Sequence, residues 1–152
     1  MSQAQRPVRF VLSAYVCIAL PTMLMIFILN GLGFRVSDEL MQDIGPKWLF
    51  LMITIGFSPL FETLLMIPML ALMQRITKRK NLVCLGSAAI WAGLHALTDP
   101  IWGASVFWLF VVLSHTFLTW RERSLSAAYW VTATIHALNN TIPAIIIAFT
   151  SR

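Results

Sequence analysis

Charge is scarce in this sequence: 11% of its 152 residues are charged, while 59% are hydrophobic. A soluble domain of this length needs far more charge to stay in solution, so that class is excluded. Cysteine is scarce too. Cys17 and Cys84 both lie inside apolar blocks, which argues against a structural disulfide and against a metal site of the CxxC type. No internal repeat, low-complexity tract or shift in composition marks a second domain, and the length fits a single domain over 1–152. The formal net charge is +5, but the basic residues sit at the ends of apolar blocks. That placement speaks for orientation in a membrane and not for nucleic-acid binding.

What the chain has in abundance is long apolar runs. Five read as membrane spans, over about 10–29, 48–73, 82–97, 101–118 and 126–149. In lipid the backbone must satisfy its own polar groups, so the expected fold is an all-α, polytopic transmembrane helix bundle. The first run is followed by Asn30-Gly31-Leu32-Gly33 and not by an Ala-x-Ala cleavage pattern, so it reads as a retained helix. The second holds Pro59 and Pro68, which predicts a tilted or kinked helix, or a break into two half-helices. The acidic segment Asp38 to Asp43 reads as a short amphipathic helix in the loop between them. Arg6, Arg9, Arg75, Lys78, Arg79, Lys80, Arg121 and Arg123 fall on one side, which is 8 of the 11 basic residues; Arg35, Lys47 and Arg152 fall on the other. The positive-inside rule then predicts a cytoplasmic N-terminus.

Against this apolar background four polar residues stand out. Glu62 sits in the middle of the second span, where an ionisable group is either functional or a neutral, hydrogen-bonded tie between helices. His95 closes the third span, with Asp99 four residues on and in reach of its ring. His136 and Asn140 share the fifth span at i and i+4, hence one helix face; such pairs also serve as glue between membrane helices. At 1.5 Å per residue from the basic end, the four lie roughly 15 to 21 Å deep, within about one helical turn of each other. Three helices thus bring four polar groups to one depth. Pro59 frees the carbonyl of Ile55, and Pro143 that of Asn139, which suits a polar, water-accessible interior. His115 reads as interfacial. The six Trp read as packing and interface anchors, and Met66, Met69 and Met73 as helix packing.

The order of these residues resembles the CPBP family, the CAAX-protease and bacteriocin-processing intramembrane proteases. That family carries Glu-Glu-x-x-x-Arg, Phe-x-x-x-His and His-x-x-x-Asn on successive helices. The corresponding segments here are Glu62-Thr63-Leu64-Leu65-Met66-Ile67, Trp91-Ala92-Gly93-Leu94-His95 and His136-Ala137-Leu138-Asn139-Asn140. Thr63 stands where the family has its second Glu, Ile67 where it has Arg, and Trp91 keeps an aromatic. Losing the Glu and the Arg together removes a charge pair, which apolar groups replace at little cost.

The resemblance implies that Glu62, His95, His136 and Asn140 are catalytic. The expectation is an intramembrane endopeptidase that cleaves a membrane-associated protein or peptide precursor. Glu62 is the general base for water, His95 polarises that water, and His136 and Asn140 bind the oxyanion. No cofactor is expected. A zinc version would use Glu62, His95 and His136 as ligands, but no His-Glu-x-x-His helix is present and Asn is a poor zinc ligand. The alternative is a non-catalytic membrane partner or immunity protein on the same helices, and a proton-coupled transporter is a third reading. The compact chain suggests a bacterial inner (plasma) membrane.

Overall fold

Apolar blocks without access to water close their backbone bonds locally, and among the described residues they do so as five helices. The computed structural model describes residues 7–34 and 45–150. The helices are α1 (Pro7–Gly31), α2 (Lys47–Ile76), α3 (Lys80–Ala96), α4 (Pro100–Arg121) and α5 (Leu125–Thr150). Among the described residues there is no strand, and the fold is an all-α helical bundle. α1, α2, α4 and α5 are each long and apolar enough to cross a membrane. α3, at 17 residues, spans about 25 Å and is the shortest of the five. The segment Asp38 to Asp43, and with it the expected amphipathic helix, lies outside the described residues.

The ends of the helices follow from local chemistry. α1 stops where Gly33 takes a left-handed φ of 85°, which lets Phe34 N–H donate to the Leu29 carbonyl at 2.9 Å. α4 begins with Pro100 in its first turn behind Asp99, whose Oδ1 accepts from the backbone N–H groups of Ile101 and Trp102. Ser124 caps α5 by accepting from Ala127 N–H at 3.0 Å.

α2 does not break into halves. Its residues Met52–Phe57 form a π-helical turn, and the α-helix resumes at Ser58 just before Pro59. In this turn Ser58 N–H donates to the Ile53 carbonyl, five residues back. The next bond in that register would run from residue 59 to the Thr54 carbonyl, and proline has no N–H to make it. The carbonyl left over by the π register is thus that of Thr54, one residue earlier than α-helical counting predicts.

α2, α3, α4 and α5 form a ring in which each packs on its two neighbours, and α1 lies outside it in the groove of α4 and α5. The α3–α4 pair is the tightest. A Cβ on Gly103 would sit 2.6 Å from the Ala92 carbonyl oxygen, so only glycine allows this approach. Ser114 donates to Ser87 across the same buried interface at 2.8 Å, and the Trp91 and Phe110 rings stack at 4.8 Å. α1 is fixed by Ile18, which is fully buried, and by Trp108 Nε1, which donates to the Cys17 carbonyl at 2.9 Å. That carbonyl lies four residues before Pro21, whose missing N–H leaves it without its helical donor.

Contacts between helix ends gather the basic residues at one end. Phe10 meets Trp120 edge to face, and Lys80 Nζ donates to Thr119 Oγ1 at 2.8 Å. Arg9, Arg75, Lys78, Arg79, Lys80, Arg121 and Arg123 therefore share one end of the bundle, and Lys47 lies at the other.

Candidate active site

Glu62 lies on α2 four residues after Ser58, so both project from one face. Ser58 Oγ donates a short hydrogen bond to Glu62 Oε1. The second oxygen, Oε2, faces α5, where His136 Nε2 lies 3.8 Å away. His136 is buried and the Glu62 side chain is 16% accessible, so the pair sits at the inner edge of the α2–α5 seam. A separation of 3.8 Å is too long for a direct hydrogen bond and suits one water bonded to both atoms.

Asn140, one turn beyond His136, uses its Nδ2 to donate to the Thr54 carbonyl at 3.0 Å. That is the carbonyl stranded by the π turn and Pro59. One of the two amide protons of Asn140 is therefore committed to holding α5 on α2, which leaves one for other work. The oxyanion role expected of Asn140 has to rest on that remaining proton.

His95 is held by its own helix. Its Nδ1 lies 2.8 Å from the Trp91 carbonyl oxygen, which accepts only, so Nδ1 carries the proton and Nε2 is the basic nitrogen of the neutral ring. The Trp91 carbonyl holds the imidazole, and Asp99 Oδ1 caps α4. The His95 ring packs edge to face on Trp102 at 4.9 Å and against Phe110 at 5.6 Å. Phe110 also meets the His136 ring at 5.6 Å. The two histidines thus share one phenyl ring as a neighbour, and Glu62 pairs with His136.

The structure brings Glu62 and His136 together and places Asn140 one turn along the same seam. Among the described residues no three His, Cys, Asp or Glu side chains are grouped as a metal site, so the arrangement does not fit the zinc set of Glu62, His95 and His136. Met66 is buried, and Met69 and Met73 pack against the core, as their spacing predicts. Of the tryptophans, Trp91 and Trp120 are core residues and Trp48 and Trp130 are widely exposed, a division that fits packing and interface anchors.

Two site groups were legible and missed. Ser58 precedes Glu62 by one turn, a spacing that places a hydroxyl beside the carboxylate. Tyr129 precedes His136 by two turns, and its hydroxyl donates to the Leu60 carbonyl at 3.2 Å. Tyr129, His136 and Asn140 make one stripe along α5 facing α2. The Thr54 carbonyl could not have been found in advance, because the π register that frees it has no simple sequence signature.

The chain matches no protein-family model, no curated protein and no solved structure.

Proposed function

We propose that this membrane protein is an intramembrane endopeptidase of the CPBP type, hydrolysing a peptide bond in a membrane-associated protein or peptide precursor. The observation that carries the reading is the Glu62–His136 pair: a carboxylate anchored at one oxygen by Ser58, with its other oxygen 3.8 Å from an imidazole nitrogen. The three short motifs in family order support it.

A water between Glu62 Oε2 and His136 Nε2 attacks the scissile carbonyl carbon. Glu62 takes one water proton as the new C–O bond forms, and the carbonyl oxygen becomes the oxyanion. The oxyanion is stabilised by the free amide proton of Asn140. The C–N bond then breaks, and Glu62 returns its proton to the departing amine. In this version His136 shares the water with Glu62, and His95, fixed by Trp91, polarises that water. The reaction needs no metal. The N-terminus lies in the cytoplasm, and the membrane is a bacterial inner (plasma) membrane.

The second reading, a non-catalytic partner on the same helices, is favoured by one observation. Asn140 spends a proton on the Thr54 carbonyl, as a purely structural residue would. Comparing new protein N-termini in membranes that express the chain or its Glu62→Gln variant separates the two. Cleavage products present with the native chain and lost with Glu62→Gln support the peptidase. Identical N-termini in both would sink it.

A further inference from the structure

Seven buried side-chain nitrogen and oxygen atoms have no hydrogen-bond partner among the described residues, and four of them belong to α2 and α5, two to each. They are Glu62 Oε2, Thr63 Oγ1, Thr132 Oγ1 and His136 Nδ1. Thr63 and Thr132 are both fully buried. A helical threonine ordinarily donates to the carbonyl four residues back, as Thr119 does to His115 at 2.7 Å and Thr141 to Ala137 at 2.8 Å. Thr63 and Thr132 do not.

Their positions converge. Thr63 lies on the buried stripe of α2 with Pro59, Met66 and Leu70, which faces the inside of the ring. Thr132 precedes His136 by one turn on the same face of α5. α2 and α5 run antiparallel, with Glu62 level with His136. Both hydroxyls therefore lie on the basic-end side of that pair, Thr63 by about 1.5 Å and Thr132 by about 6 Å along the axis. Four polar atoms left dry in one layer, about a turn thick, is a pattern native interiors avoid. The ligand that suits all four is one that donates and accepts in the same small volume. The carboxylate oxygen only accepts, the hydroxyls do both, and the imidazole nitrogen does either.

We infer that Thr63, Thr132, Glu62 and His136 line a buried water site inside the ring, on the basic-end side of the Glu62–His136 pair. Water there meets the ring of His136 at Nδ1, the nitrogen turned away from Glu62. The site adjoins the water placed between Glu62 and Nε2, sharing Glu62 Oε2 with it, and it holds whether or not the chain is a peptidase.

Valine has the shape of threonine without the hydroxyl, so Thr63→Val and Thr132→Val give opposite signs for a wet and a dry site. The full-length protein in lipid nanodiscs is melted and the midpoints compared. Loss of a water-bonded hydroxyl lowers Tm by roughly 2–4 °C or more in a chain of this size. An unchanged or raised Tm in both variants means dry, unpaired hydroxyls and overturns the inference. If neither variant folds, a crystal structure of the native chain decides. Water density within hydrogen-bonding distance of Thr132 Oγ1 and His136 Nδ1 supports the site; Thr132 bonded instead to the Ala128 carbonyl overturns it. Neither readout involves cleavage, so failure here leaves the peptidase reading intact, and failure of that reading leaves this site intact.

Discussion

One oxygen of the Glu62 carboxylate is tied to Ser58, and this fixes which oxygen faces His136. A hydrogen bond to a charged group contributes about 1.5–3 kcal/mol. If that bond orients the base during turnover, Ser58→Ala slows cleavage by roughly 10- to 100-fold in kcat with KM little changed. Steady-state kinetics on a peptide identified from the N-terminal comparison test this, and an unaltered kcat refutes the positioning role. Glu62→Gln removes the base and lowers the rate by about 100-fold or more. Incubation with strong chelators leaves the rate unchanged, because Glu62, His95 and His136 are not grouped as a metal site. Restoration of chelated enzyme by zinc alone would reverse that reading.

At the scale of the helix, prolines set the polar contacts between elements. Pro21 strands the Cys17 carbonyl, and the indole of Trp108 answers it. Pro59 and the π turn strand the Thr54 carbonyl, and Asn140 answers that one. A buried carbonyl deprived of its donor costs about 1–3 kcal/mol, so each pairing holds two helices together. In a Pro59→Ala background residue 59 regains an N–H for Thr54, and Asn140→Ala then destabilises less than it does in the native chain. Activity separates structure from chemistry. If Pro59→Ala restores both stability and cleavage to Asn140→Ala, Asn140 is only a tie; if it restores stability alone, the second amide proton acts on substrate. The α3–α4 contact gives a simpler test. Gly103→Val drives a side chain into the Ala92 carbonyl and Ala96, an overpacking that costs about 1–3 kcal/mol. Gly93→Ala meets nothing within 4 Å and gains helix propensity. Thermal melts in detergent should therefore show Gly103→Val lowered and Gly93→Ala equal or raised, and equal melting of the two variants contradicts the close approach.

For the molecule as a whole, the outer surface is apolar along its length, with Phe27, Phe57, Phe61 and Phe149 among the exposed side chains, as a lipid-facing bundle requires. Apart from Glu62, the described charged residues lie near the ends of the helices. The seven described basic residues at one end against Lys47 at the other predict that this end is cytoplasmic. With Cys17 and Cys84 replaced by serine, a Ser124→Cys reporter in the α4–α5 turn is labelled by a membrane-impermeant thiol reagent only in inside-out vesicles. A Gly45→Cys reporter behaves oppositely. Labelling of Ser124→Cys in right-side-out vesicles would invert the topology.

The five expected runs were legible because hydropathy acts locally: all five are helices, and four of them are long and apolar enough to cross a membrane. Runs expected at about 48–73 and 101–118 are helices Lys47–Ile76 and Pro100–Arg121, and each expected boundary lies within a turn of the observed one. Glu62, His136 and Asn140 were legible for the same reason, since a polar group in an apolar run is visible in one dimension. What the sequence could not determine was the pairing. That Glu62 meets His136, that Asn140 is partly spent on Thr54, and that His95 answers to Trp91 all depend on helix rotation and on the π register of α2. Those are set by how whole helix faces fit together in the ring, through close approaches such as Gly103 on Ala96, and no local pattern encodes them.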